Sequence, residues 1–386
     1  MDKKIFWCST CLNMSTRPRI EFDDQGSCNA CRWTEEKKLL DWEPRQVELR
    51  SLLDKYRSPD GSGFDCVVPV SGGKDGSYVA YTLKHKYGMN PLAVTVRPAL
   101  SLEIGDENLT SFINSGFNHI HISPDPRVMQ KLNKLGFIEK GFPYYGWLIA
   151  IKTAVIQTAM NFKIPLIFYG EDGEVEYGGS MKNVNKSHET VDDWNEFYFK
   201  GTGVDDLVLE GHKMGILLDN EIQLDKFKFY KAPKKEKIKS VGTEMHWWSY
   251  YKTWIPQENF YYCVENTGFE PNTKRTQCTY TKSNSIDDRL DNYHFFLAYI
   301  KFGYGRATRD ACSDIRCGHI TREEAVQLVN KYDHEFPKEY FEEFLEYLSI
   351  KEDKFWSIVN FYRNRKVWSY NKKNNIWELN KKVENN

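Results

Sequence analysis

Seven consecutive residues, Ser71-Gly72-Gly73-Lys74-Asp75-Gly76-Ser77, combine what an anion site needs: glycines that let main-chain N–H groups close in, and the charge of a lysine. They follow an apolar run, Asp-Cys-Val-Val-Pro-Val at 65–70, and lead into Tyr78 to Tyr87, where Val79, Ala80, Leu83 and Tyr87 share one helical face. A strand that breaks into glycines and re-enters the fold as a helix aims the helix's positive end at the loop. Phosphate is the anion expected there. The loop lacks the Gly-Lys-Ser/Thr ending of a Walker-type loop and does not match G-x-G-x-x-G. A solvent-exposed glycine turn is the plain alternative.

A second set of spacings concerns metal. Cys8-x2-Cys11 and Cys28-x2-Cys31, sixteen residues apart, fit two zinc knuckles. Each knuckle aims two thiolates at one point, and two knuckles close a tetrahedral shell with no open position, which is a structural site. Asn13, Pro18, Asp23, Asp24 and Gly26 give the intervening stretch its turns. Metal binding of order ~10 kcal/mol folds a module of ~30 residues that has no core of its own. Four free thiols or a redox CxxC are the other readings, and the pattern does not decide whether the module docks a partner or braces the chain.

The elements that must position these groups show as an alternation. Strand-like runs at 65–70, 91–96, 119–122 and 165–170 alternate with helical patterns at 78–87, 106–116, 126–135 and 146–162. This predicts an α/β fold whose parallel sheet binds ligands at the carboxyl ends of its strands, where the glycine loop lies. The 386 residues, 40% apolar and 15% aromatic, suffice for more than one packed unit. With 53 basic against 54 acidic residues, the net charge of -1 sets up no field for nucleic acid or anionic membrane, so a small-molecule substrate is expected. No stretch supplies the ~20 apolar residues of a membrane span, the N-terminus has no signal-like apolar region, and nine scattered cysteines argue against a disulfide framework. A cytoplasmic protein is expected.

The alternation stops between 180 and 265, in a segment rich in aromatics and lysines. Lys226, Lys228, Lys231, Lys234, Lys235, Lys237 and Lys239 read as a solvated face, and the Trp247, Trp248, Tyr250, Tyr251, Trp254 group as core or pocket wall. From 284 to 350 the pattern is helical, with Ser285 and Thr321 as expected N-caps and Glu324 completing a capping box. Arg306, Arg309 and Arg316 in "GYGRATRDACSDIRCGH" either form an anion site or lace a helical surface.

The motif SGGKDGS after a buried strand resembles the PP-loop of ATP pyrophosphatases, which adenylate an oxygen, release pyrophosphate and let a nucleophile displace AMP. "FYGEDGEVEYGG" at 168–179 is similar to the segment after the fourth strand in asparagine synthetases. With the cysteine knuckles and the run "DDRLDNYHFFLAYIKFGYGRATRDACSDIRCGHITREEAVQLVNKYDHEFP", nearly the whole chain resembles the N-acetyl sugar amidotransferases of surface-polysaccharide and nonulosonic-acid biosynthesis. The resemblance implies four parts: a zinc-knuckle module (1–40), a PP-loop domain of the adenine nucleotide alpha hydrolase-like type (41–180), an insertion (181–265) and a helical C-terminal part (266–386). It implies ATP bound by Ser71 to Ser77 with Arg97 and Gly170, magnesium held by Asp75, Glu171 and Asp172, and structural zinc on Cys8, Cys11, Cys28 and Cys31; Lys301, Arg306, Arg309 and Arg316 are the candidates for phosphate or substrate contacts. Lys74, Asp75, Glu171 and Asp172 are the catalytic candidates. The implied reaction turns the acetamido group of a nucleotide-linked sugar into an acetamidino group, with ammonia from a separate glutaminase subunit and a cyclase-like subunit as an optional third component. A PP-loop tRNA-thiolating enzyme and a non-catalytic nucleotide-binding scaffold are the alternatives.

Overall fold

Four apolar runs of the first half become parallel strands, β1 (Cys66–Pro69), β2 (Pro91–Val96), β3 (Asn118–Ile122) and β4 (Leu166–Tyr169). They belong to a computed structural model that describes residues 4–170, 173–199, 201, 203–222 and 224–384. Because successive strand side chains point to opposite faces, the sheet splits its apolar residues between two cores. Val67, Leu92, Val94 and Val96 face one, with Leu132 and Ile149; Cys66, Val68 and Ala93 face the other, with Leu53, Leu83 and Phe112.

Helix α1 (Asn29–Leu39) packs with the cysteines, and the helices that cover these faces are α2 (Glu43–Tyr56), α3 (Lys74–Tyr87), α4 (Glu103–Asn114), α5 (Pro126–Lys140) and α6 (Tyr145–Asn161). Helix α5 runs five residues past the expected 135, to a left-handed Gly141. The apolar pattern continues through Leu135 and Phe137, and only a residue free to adopt positive φ ends it.

Segment 180–265, where the strand–helix alternation is expected to stop, adds two strands to the sheet. It supplies β5 (His188–Glu189) and β6 (Glu244–Trp247), giving the order β3-β2-β1-β4-β6-β5 with β6 parallel to β4 and β5 antiparallel at the edge. Strand β6 reads Glu-Met-His-Trp, too short and mixed to show as an apolar run; its place is set by pairing, with Tyr169 opposite Trp247. Helices α7 (Val191–Phe197), α8 (Val204–Lys213), α9 (Lys235–Val241), α10 (Trp248–Tyr251) and α11 (Pro256–Thr267) complete the segment. Lys228, Lys234, Lys235, Lys237 and Lys239 are exposed, as a solvated face requires. Trp248 and Tyr251 are core, while Trp247, Tyr250 and Trp254 line a cavity.

The rest is helical: α12 (Asp291–Phe302), α13 (Arg306–Cys317), α14 (Arg322–Tyr332), α15 (Phe341–Leu348) and α16 (Glu352–Tyr362), then a hairpin of β7 (Trp368–Asn371) and β8 (Ile376–Leu379). Thr321 and Glu324 form the expected capping box. Ser285 does not cap α12, which begins six residues later; Ser285 has φ 55° and its hydroxyl donates to the Asp291 carboxylate. The intervening residues form an irregular loop over the glycine loop instead. Among the described residues, no helix is long and apolar enough to cross a membrane.

Candidate functional site

The glycine loop is built by close backbone approach. Gly72 has φ 89°, and a Cβ there would drive into the Gly105 carbonyl; a Cβ on Gly76 would meet the Pro69 carbonyl, and one on Gly170 would lie 2.7 Å from the Asp75 carbonyl. Helix α3 starts at Lys74 with Gly73 as its N-cap, and the Ser77 hydroxyl donates back to the Gly73 carbonyl at 2.9 Å. Lys74 is 8% exposed and donates to Asn284 Oδ1 at 2.9 Å and Asp75 Oδ2 at 3.2 Å. Among the described residues, Asp75 Oδ1 is buried with no hydrogen-bond partner, which leaves an acceptor open to a cation or donor. Burial beside Ser71 pushes the Asp287 carboxyl above its ordinary range.

The loop opens into a cavity of about 870 Å³, at the upper end of the size range of small-molecule sites. Ser71, Gly73, Lys74, Asp75, Gly76 and Gly170 line it at the strand ends, and Lys301, Arg306 and Arg309 line it from α12 and α13. Arg306 is tied to Asp310 at 3.2 Å, Arg309 lies over the Tyr177 ring at 4.0 Å, and Lys301 donates to the Gly141 carbonyl at 2.9 Å. Arg97 is exposed and Arg316 points elsewhere, so neither is part of this lining. Glu171 and Asp172 lie outside the described residues.

Sequence reading missed Asn284 and Asp287, which reach the glycine loop from more than 200 residues away, and Asp291, which lines the same cavity and accepts from Ser285. Their signal is faint: a polar stretch, Ser-Asn-Ser-Ile-Asp-Asp-Arg-Leu-Asp, before a helix. It also missed the network behind them. Asn284 Nδ2 donates to Asp310 Oδ1 at 3.2 Å and the Thr279 hydroxyl donates to Asp310 Oδ2 at 2.6 Å, so α13 is wired to Lys74.

The four cysteines of the knuckles meet. Their sulfurs lie within 4.8 Å of one another, with Cys8···Cys31 at 4.0 Å and both Cys11···Cys28 and Cys28···Cys31 at 3.7 Å. A tetrahedron of thiolates ~2.3 Å from one ion has edges of ~3.8 Å, so the four sulfurs match a single-ion shell. Among the described residues, the buried Nη1 of Arg316 has no hydrogen-bond partner, and the guanidinium sits beside this cluster, where a fixed positive charge offsets thiolates. The module is not free-standing: its thiols share an apolar cluster with Ala311, Cys312, Ala325 and Val326 of α13 and α14.

The module also grips the turn that follows β4. Asn29 Nδ2 donates to the Gly179 carbonyl at 2.6 Å, Trp33 Nε1 to Glu176 at 2.8 Å, Lys37 to both Glu176 oxygens at 2.6 and 2.7 Å, and Arg316 to the Glu176 carbonyl at 2.7 Å. Arg19 pairs with Glu174, and both line the cavity. The acidic residues of this turn that are described therefore hold the module, and the module forms part of the cavity wall.

Comparison with known proteins adds three findings. A stretch of 90 residues is 31% identical to an uncharacterized protein of Methanocaldococcus jannaschii, MJ1599, covering 23% of this chain and 32% of that one, so the chain spans about a third of this relative's length. The solved U34-tRNA thiolase NcsA from Methanococcus maripaludis, with its [4Fe-4S] cluster, is similar over 75% of this chain and 79% of its own, at 14% identity and a TM-score of 0.33, which is too distant to transfer a substrate or a cluster. Residues 259–384 match the family described as "LPS biosynthesis protein WbpG-like, C-terminal domain", a stretch that begins in α11, includes the loop over Lys74 and ends beyond β8. It is in this stretch, which closes the glycine-loop cavity, that the chain is similar to the WbpG-like lipopolysaccharide-biosynthesis proteins.

Proposed function

We propose that the protein is an ATP-dependent amidotransferase that converts the acetamido group of a nucleotide-linked sugar into an acetamidino group. The acetamide oxygen attacks the α-phosphorus of ATP and pyrophosphate leaves. Ammonia then adds to the imidate carbon, AMP is expelled with the former amide oxygen, and the C=O has become C=NH. The observation that carries the reading is the 2.9 Å bond from Lys74, the glycine-loop cation, to Asn284 of the WbpG-like domain, which joins a phosphate cradle to a polysaccharide-biosynthesis module in one cavity.

The chain's own residues act by position and charge. Lys74 and the main-chain N–H groups of the loop stabilise the separating phosphates, which is electrostatic preorganisation rather than covalent catalysis. Asp75, whose Oδ1 has no partner among the described residues, is suited to hold magnesium together with Glu171 and Asp172. A divalent cation there neutralises charge on the leaving pyrophosphate. Zinc is the ion we assign to the four thiols, as a brace for the 173–179 turn.

Ammonia is assigned to a separate glutaminase subunit; burial pushes the thiols of Cys66, Cys263, Cys278 and Cys317 above their ordinary range, Cys263 to about 12. A poised cysteine nucleophile needs the opposite shift. The same fact weighs against a thiolating enzyme, since Cys263, the thiol beside the loop, donates to the Lys74 carbonyl at 3.1 Å. The test is mass spectrometry of UDP- and CMP-linked N-acetyl sugars incubated with the protein, ATP, magnesium and ammonium. Replacement of one oxygen by NH with equimolar AMP supports the reading; AMP without any change in the sugars refutes it.

A further inference from the structure

Behind the glycine loop the cavity has a wall that the adenylation chemistry does not use. Tyr169, Tyr198 and Trp247 line it, with the Tyr198 and Trp247 rings stacked at 6.5 Å and 21°, and Tyr169 against Trp247 at 5.8 Å. Lys152 lies under all three, its Nζ 3.7 Å from the Tyr169 centroid, 4.0 Å from Tyr198 and 5.0 Å from Trp247. It pairs with Glu189 at 3.2 Å, and both side chains are 1% exposed. Glu189 and Asp193 also line the cavity.

An ion pair this deep is a poor stability device, since apolar residues of similar volume do as well or better. Here it holds the Tyr169, Tyr198 and Trp247 rings around one buried ammonium. We propose that this wall is the subsite for the sugar ring of the acceptor, an assignment that rests on the amidotransferase reading. The C–H face of a pyranose packs on flat aromatic surfaces, and its hydroxyls donate to carboxylate oxygens, which only accept. The place fits. Tyr169 ends β4 and is followed by Gly170, which backs onto the Asp75 carbonyl, and β6 lies two strands from β1, about 10 Å at the usual strand spacing. A ring seated there presents an exocyclic amide oxygen towards the phosphate cradle.

The test uses the full-length protein and saturation-transfer NMR with N-acetylglucosamine and UDP-N-acetylglucosamine as probes. Wild type should transfer magnetisation to the ring and acetamido protons. Tyr198→Leu, which removes one half-buried ring, should weaken binding about tenfold, the worth of one stacked contact. The Lys152→Met/Glu189→Gln double variant, chosen because it removes both charges of the pair together, should weaken binding at least as much with an unchanged circular dichroism spectrum. No transfer from wild type to either probe, or equal transfer in wild type and both variants, overturns the subsite. AMP formation is measured in parallel and separates the two ideas: sugar binding at this wall without AMP keeps the subsite and removes the reaction, while sugar-dependent AMP formation unaffected by both variants keeps the reaction and removes the subsite.

Discussion

The grip of the cysteine module on the 173–179 turn is open to a quantitative test at Glu176. This carboxylate accepts from Lys37 at 2.6 and 2.7 Å and from Trp33 at 2.8 Å, and the Lys37 and Glu176 side chains are 10% and 11% exposed. Glu176→Gln leaves the ammonium in place without its charge partner, a loss of about 3 kcal/mol for a pair this buried. At 1.4 kcal/mol per factor of ten, the undocked module becomes about 150 times more populated. Hydrogen exchange of the amides of residues 28–39, followed by mass spectrometry, reads that local opening without requiring the whole chain to unfold in one step. Lys37→Met in the Glu176→Gln background should recover about 2 kcal/mol, because no buried charge is then stranded. The exposed Lys38–Glu35 pair, with side chains 61% and 69% exposed, serves as the control: Glu35→Gln should cost less than about 0.5 kcal/mol. If Glu176→Gln accelerates exchange no more than Glu35→Gln, the contacts at Glu176 do not hold the module and the clamp is refuted.

Elemental analysis of protein purified without chelator should find about one zinc per chain, and Cys28→Ser should lower stability and raise exchange across the 173–179 turn, since that turn depends on the module; metal-free protein with an intact turn would contradict both. Lys74→Ala and Asp75→Ala should fold normally and lose AMP formation, whereas wild-type accumulation of ADP and orthophosphate would exclude adenylation. Burial raises the Asp333 carboxyl from 3.8 to about 6, where it caps α13 through Gly305, Thr308 N–H and the Thr308 hydroxyl. Its folded form holds the proton more tightly than its unfolded form, so its contribution is full below about pH 4 and is lost as pH rises through about 6, at most about 3 kcal/mol. Against Asp333→Asn, the wild type should therefore lose melting temperature between pH 4.5 and 7, and a parallel pair of profiles would show that the carboxyl stays ionised. Ammonium-supported turnover should climb as pH rises above neutrality, following the free-base fraction, and flatten when a glutaminase partner delivers ammonia through an enclosed route; vigorous glutamine-dependent turnover by the chain alone would end the two-subunit reading.

What could be read from the sequence was local, and for a physical reason. Gly72, Gly76 and Gly170 are legible because a missing Cβ is a property of one residue, and the neighbours that forbid one are the backbones a strand–loop–helix turn must bring together. The two CxxC pairs are legible because thiolate geometry dictates their spacing. Asn284, Asp287, Glu176 and Lys152 are not, because their chemistry comes from partners far along the chain. A polar residue such as Asn284 looks like any loop asparagine until the fold lays it on Lys74, and Glu176 looks like a surface acid until α1 covers it. Strand β6 was invisible for a related reason, since four residues carry too little periodicity and only pairing with β4 makes them a strand.

The insertion of β6 beside β4 links these hidden features. Without it β4 would be the edge of the sheet, and the ring of Tyr169 would face solvent at the end of the strand. With it, Trp247 is set opposite Tyr169, β5 brings Glu189 to the sheet edge opposite Met245, and the buried Lys152 of α6 meets both. On the other side of β4 the chain enters Gly170 and the turn gripped by the module. A single strand end therefore separates the phosphate cradle from the aromatic wall. Gly170 stands at that strand end, and any side chain there would collide with the Asp75 backbone, so the position between cradle and wall must be glycine.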